Sequence, residues 1–156
     1  VLLVCLAMAN AKPLVQVACL CERVLQEKDG VFSLIRVVDT YTVSKLPQTA
    51  PPDMKQAIEL NAFVSLKSGD FVGESDVWLV LHYPSAKTKE LPKTKMVFTG
   101  YESGSNFLGK LMLEVKEYGL YSFDVVWNDE ILTRIPFKLV SEPPIQTKEL
   151  EPSSKS

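Results

Sequence analysis

Three features of this 156-residue sequence predict an all-β fold. Apolar and polar residues alternate with a period of two through several segments, and no stretch of usable length has the 3.6-residue period of a helix. Turn signals recur every 8–14 residues, the spacing of short antiparallel strands rather than of strand–helix units. The stretch Glu117-Tyr118-Gly119-Leu120-Tyr121-Ser122-Phe123 has the acid-x-Gly-x-Tyr-x-apolar form of a tyrosine corner, in which a Tyr hydroxyl bonds back to upstream backbone and pins a crossing between sheets. Together they predict an antiparallel, immunoglobulin-like β-sandwich of about eight strands. The expected organisation is one domain over residues 13–141, an N-terminal extension outside the fold over 1–12, and a disordered polar tail over 142–156.

The first strand covers residues 14–25, apolar on both faces through its middle. Asp29-Gly30 then supplies a hairpin turn, and residues 31–43, rich in β-branched and aromatic side chains, return as one strand. This register brings Glu22 and Arg36 close to direct opposition, where they are expected to form a structural ion pair. Residues 44–56 hold three prolines and no apolar period, so they form an irregular connection between sheets. Ile58, Leu60, Ala62, Val64 and Leu66 give the cleanest alternation, with Phe63 on the wet side, either packed against a neighbouring loop or part of an exposed contact patch.

Lys67-Ser68-Gly69-Asp70 is expected to be a turn, followed by an apolar strand to Tyr83 and a lysine-rich loop from Pro84 to Lys95. Strands are expected over residues 95–99 and 106–116 on either side of a loop at 100–105, the second with Phe107, Leu111, Leu113 and Val115 on one face. The final hairpin turns at Asn128-Asp129. Tyr121, Phe123, Val125 and Trp127 face the core from one strand, and Ile131, Ile135, Phe137 and Leu139 from the other. Pro136 cannot donate to a ladder, so its strand should lie at an edge or carry a bulge.

Composition narrows the chemistry. A formal charge of −2 leaves no broad positive field for a polyphosphate, so nucleic acid is not an expected partner. The apolar run at 1–7 is too short for a bilayer, which requires about 20 residues, and no membrane association is expected. The cysteines are Cys5, Cys19 and Cys21. Cys19 and Cys21 are two apart on one strand, too far to bridge, which points to a reducing, cytoplasmic compartment; secretion is the alternative if residues 1–9 are a truncated signal. No metal site is expected, because Cys19-x-Cys21 has no second ligand pair and His82 is the sole histidine.

No catalytic or cofactor-binding residue is assigned. Gly104 to Lys110 matches the start of a phosphate-binding loop, but Leu111 replaces the magnesium-binding hydroxyl and the stretch runs into a strand. His82 lies in an apolar strand, and Asp39, Glu74, Asp76 and Asp124 show no spacing that selects a carboxylate pair. Trp78 and Trp127 read as core residues.

The run Ala18-Cys19-Leu20-Cys21-Glu22-Arg23-Val24-Leu25, the turn Lys28-Asp29-Gly30 and Ser33-Leu34-Ile35-Arg36-Val37-Val38-Asp39 belong together with Gly119-Leu120-Tyr121-Ser122-Phe123-Asp124-Val125 and Arg134-Ile135-Pro136-Phe137. As a set they resemble a family of small bacterial proteins known as a domain of unknown function, over about 13–140. The resemblance implies a bacterial intracellular β-sandwich and carries over no activity or catalytic residues. The functional expectation is a non-enzymatic module that binds another protein through a sheet edge or loops. The alternative is a small-molecule-binding protein or small enzyme with a site at one end of the sandwich, for which Asp39, His82 and Glu74 or Asp76 would have to converge.

Overall fold

The computed structural model describes residues 11–143. The readings of 1–10 as an extension and of 144–156 as a tail fall outside them. Eight strands are present and no helix among the described residues: β1 (Leu14–Gln26), β2 (Phe32–Val37), β3 (Thr40–Val43), β4 (Ala57–His82), β5 (Thr88–Glu90), β6 (Thr94–Glu114), β7 (Gly119–Trp127) and β8 (Glu130–Ser141). They form one sheet of order β2-β1-β4-β7-β8-β3, with β5 and β6 also paired to β4.

β4 is the axis of the sheet. Its first half pairs with β1 on one side, its last six residues with β7, and β6 runs antiparallel to it from Ala57↔Glu114 to Val77↔Thr94. The turn expected at 67–70 and the loop expected at 100–105 are therefore both inside strands. Their turn-forming residues bend the β4–β6 ribbon instead of reversing the chain. Register breaks fall between Lys67 and Gly69 and between Gly69 and Val72. Positive φ at Gly69 (56°) faces positive φ at Gly100 (100°) and Tyr101 (51°) on the partner strand. Ser68, fully buried, shares a 2.9 Å hydrogen bond with the Ser103 hydroxyl, which donates to the Gly100 carbonyl at 2.8 Å. This clasp satisfies the polar groups that the bend would otherwise strand in the core.

The bend lets both halves of β4 face a single core. Ile58, Leu60, Val64 and Leu66 from one arm join Val77, Leu79 and Leu81 from the other, with Leu20, Phe98, Phe107, Phe123, Phe137 and Leu139. β2 and β3 lie at opposite ends of the sheet order, yet only Val38 and Asp39 separate them. Three peptide steps span at most about 10 Å, roughly the spacing of two stacked sheets. The two ends of the sheet must therefore approach one another. The single return strand expected over 31–43 is accordingly two strands, and the sheet is mixed rather than purely antiparallel, because β3 pairs parallel to β8 from Thr40↔Lys138 to Val43↔Ser141.

Several expected details are present. Tyr121 donates from its hydroxyl to the Glu117 carbonyl at 2.6 Å, closing the tyrosine corner. Asn128 and Asp129 both have positive φ, the signature of a two-residue hairpin turn. Arg36 Nε lies 3.3 Å from Glu22 Oε1, on side chains 75% and 35% exposed, a pair worth at most about 1 kcal/mol. Trp78 and Trp127 are buried. Phe63 is buried rather than wet, because Phe32 of the β1–β2 hairpin packs on it with ring centroids 5.3 Å apart and planes tilted by 51°. Ile131 is exposed, because a register break opposite Val125/Val126 shifts the start of β8 by one residue and reverses the parity expected for it.

Gly104 owes its identity to this ribbon: a Cβ there would stand 2.8 Å from the Leu66 carbonyl oxygen, closer than real contacts allow. Gly104→Ala is expected to destabilise the fold by about 1–3 kcal/mol, the usual cost of overpacking, as read by urea unfolding. Tyr121→Phe should cost about 1–3 kcal/mol by leaving the Glu117 carbonyl unpaired, with the β-sheet circular dichroism unchanged.

Candidate functional site

Two places in this framework concentrate chemistry. The first is a polar ladder across β4, β7 and β8. Asp124 lies opposite Val80 on one side and Arg134 on the other, which sets His82 two residues along on the same face. The Asp124 side chain is 3% exposed. Its Oδ1 accepts from Arg134 Nε at 2.5 Å, and its Oδ2 accepts from Arg134 Nη2 at 2.9 Å and meets His82 Nε2 at 2.8 Å. The Arg134 hydrogen bond holds the Asp124 carboxyl below the usual carboxylate range; burial opposes this, and the His82 contact adds to it.

Three of the roughly four acceptor positions on Asp124 are thus occupied by its own protein. The outer side of the ladder lies in a shallow depression lined by Tyr83, Pro84, Leu120, Ser122 and Pro136. Ser122 stands opposite His82 in the register, but among the described residues the imidazole hydrogen-bonds only to Asp124. No nucleophile–base pair is assembled, and the geometry is that of a cross-strand ion ladder.

The other carboxylates do not join it. Glu74 pairs with Lys95 at 3.6 Å, Asp76 lies six residues before His82 on β4, about 20 Å away along the strand, and Asp39 adjoins β8 beyond β7, about 14 Å across the sheet. Asp39, His82, Glu74 and Asp76 therefore do not share a cleft. Arg134, given no role of its own from the sequence, is the residue that neutralises Asp124. The signal was available in the hairpin, since counting outward from Asn128-Asp129 brings positions 124 and 134 within one residue of opposition. Gly104 to Lys110 lies wholly within β6, so no helix N-terminus is present to receive a phosphate.

The second place is the outer edge of β6. This 21-residue strand pairs with β4 alone, so along its length the other row of backbone N–H and C=O groups has no strand partner among the described residues. Val97, Tyr101, Leu108 and Met112 project from it, each at least half exposed. Beside residues 107–114 the two arms of the sheet part, leaving a cleft of about 450 Å³. All eight of those consecutive residues line it, in keeping with a strand's backbone edge, and not one face, bordering the space. Leu81 and Phe123 line it from the core, and Leu91, Pro92 and Lys89 from β5 and the segment after it.

The β8 edge expected from Pro136 is realised only in part, because β3 covers β8 from Lys138 onward. The 44–56 connection is irregular, as expected.

No protein-family model and no curated protein sequence matches the chain. Among solved structures it is similar to the Pseudomonas fluorescens alkylpurine DNA glycosylase AlkC bound to DNA containing an abasic site analog, at 12% identity and a TM-score of 0.50, over 86% of this chain and 32% of that one. It is similar to a β-glucosidase from Listeria innocua at 10% identity and a TM-score of 0.50, over 85% of this chain and 16% of that one. An immunoglobulin-like protein from Pseudomonas aeruginosa aligns at 13% identity and a TM-score of 0.40, over 84% of this chain and 98% of that one. At these identities the first two likenesses concern the fold alone. This chain spans about a third of the glycosylase and a sixth of the glucosidase.

Because the folded pKa of Asp124 is depressed, its ladder adds stability that is complete above the unfolded carboxylate value near 4 and is lost as pH falls through the lower folded value. Asp124→Asn should lower stability at pH 7 by about 1.5–3 kcal/mol, the worth of a charged hydrogen bond, and flatten the acid limb of the stability–pH curve. Unfolding in urea at several pH values from 7 to 3 measures both.

Proposed function

We propose that this chain is a non-enzymatic protein-binding module, an immunoglobulin-like sandwich that docks its partner along the free edge of β6. One observation carries the reading: a 21-residue strand bonded on one side only, with four large apolar side chains exposed along it. Long uncovered edges are templates for another strand, and proteins that do not use them blunt them with prolines, dense charge or cover. β6 contains no proline, and its charges are confined to Lys95, Glu102, Lys110 and Glu114. The buried ladder at Asp124 supports the same reading from the other side, since its groups are spent on holding β4, β7 and β8 together.

The buried or half-buried thiols of Cys19 and Cys21, whose pKa values burial raises, suit a reducing cytoplasm like that of the bacterial family the sequence resembles.

The test compares partners retained from a lysate of the native host at moderate salt by the wild-type chain and by Leu108→Lys/Met112→Lys. Both side chains are exposed, so the double variant should melt within about 2–4 °C of wild type. The expected result is a partner lost from the β6 variant and retained by Ile131→Lys, an equally exposed position on β8. A partner held equally by all three proteins, or none held by wild type, would refute the edge as the binding surface.

A further inference from the structure

The cleft beside β6 is narrower in meaning than a general edge. It is bounded by a free backbone row on one side and apolar side chains below, which is the complement of an extended peptide and not of a compact ligand. We infer that residues 107–114 form a slot for a single partner β-strand, of about six to eight residues, with apolar side chains at alternate positions and acidic residues beside them; this rests on the reading of β6 as the binding edge.

A strand laid against 107–114 would make ladder hydrogen bonds with the free edge and extend the arm formed by β1, β4 and β6. Its side chains would then alternate between solvent and the space between the arms. On the inner side they would meet Leu81 and Phe123, together with Phe107, Leu111 and Leu113, which β6 already turns toward the core. The cleft volume of about 450 Å³ lies within the range of small peptide and ligand sites, roughly 300–1,000 Å³. A ligand read by side chains alone would gain nothing from eight consecutive backbone positions, whereas a strand uses them all.

Charge selects the partner's polar positions. Three lysines and one carboxylate line the slot: Lys89, Lys110, Lys116 and Glu114. Lys110 is held by Glu59 at 2.9 Å, and Lys116 by Glu114 at 3.1 Å. Lys89 has no ion pair among the described residues. It stands opposite Leu81 in the β4–β5 register and so shares the core-facing side of the sheet, at the mouth of the slot. An acidic side chain or a terminal carboxylate on the incoming strand meets it there. A second copy of β6 carries as many lysines as carboxylates (Lys95 and Lys110, Glu102 and Glu114) and so brings no net acidity to Lys89.

The experiment uses the full chain and three capped eight-residue peptides. The first alternates valine and threonine between terminal glutamates, the second replaces those glutamates with lysines, and the third keeps the first composition with the valines in one block. Amide hydrogen exchange locates binding, and fluorescence anisotropy ranks it. The expected result is new protection within 107–114 by the first peptide, with the lysine-ended peptide about two- to fivefold weaker, as one solvent-screened ion pair allows. Lys89→Glu should reverse that order, and the block peptide should bind least.

Protection confined to 94–101 would overturn the slot and leave the β6 edge reading standing, whereas protection confined to β2 would overturn both. Concentration-dependent protection of 107–114 without peptide would assign the slot to a second copy and overturn the acidic partner. Absence of binding by all three peptides would overturn the slot. If Leu108→Lys/Met112→Lys were also without effect on partner retention, the edge reading would fall with it.

Discussion

The structure depends on one constraint: β4 and β6 are paired along almost their whole lengths and bend together. A straight 26-residue strand would extend about 85 Å, roughly twice the width of a domain this size, so it must bend to bury its apolar residues on itself. Because both strands carry left-handed backbone at the same place, the ladder shifts register through the bend and resumes beyond it. The clasp of Ser68 and Ser103 supplies partners for polar groups that close packing excludes from water. Everything else attaches to the two arms so made. β1 lines the first arm and β7 the second, β8 follows β7 across the two-residue turn, and the short step from β2 to β3 ties the ends of the sheet together.

The same constraint accounts for the open edge. Each half of β4 has a second partner on its far side, β1 or β7, whereas β6 has β4 alone. The place where the arms diverge beside residues 107–114 is where that edge meets the core, which is why an apolar cleft and a free backbone row coincide. The ladder of His82, Asp124 and Arg134 works on the opposite side of the axis. There a buried carboxylate is neutralised by a guanidinium from its own hairpin partner, so three neighbouring strands are linked by charge-assisted bonds as well as by backbone.

Local structure was legible in the sequence where it depends on neighbouring residues. The Tyr121 corner, the Asn128-Asp129 turn, the Glu22–Arg36 opposition and the buried tryptophans all follow from spacing over a few positions. Features decided by distant segments were not. Gly69 and Gly100 carry turn chemistry, and only their pairing with each other makes them a bend instead of two reversals. Phe63 alternates onto the outer face and is buried by Phe32, thirty-one positions earlier in the chain. Ile131 lost its expected place to one extra residue in β8. The site was the least legible part, because edge position is a property of the sheet: nothing between Thr94 and Glu114 announces that only one side of the strand is taken. Asp124 and Arg134 could have been paired by counting from their turn, whereas the approach of His82 required the β4–β7 register.

β6 is bonded on one side and open on the other. Native-state hydrogen exchange of the free chain, resolved amide by amide across residues 104–114, tests it most directly. The expected result is alternation, with amides directed at β4 protected and their neighbours exchanging close to the rate of unstructured peptide. Uniform protection of both sets at the lowest protein concentration would mean that the outer edge is already covered and β6 is not an open strand.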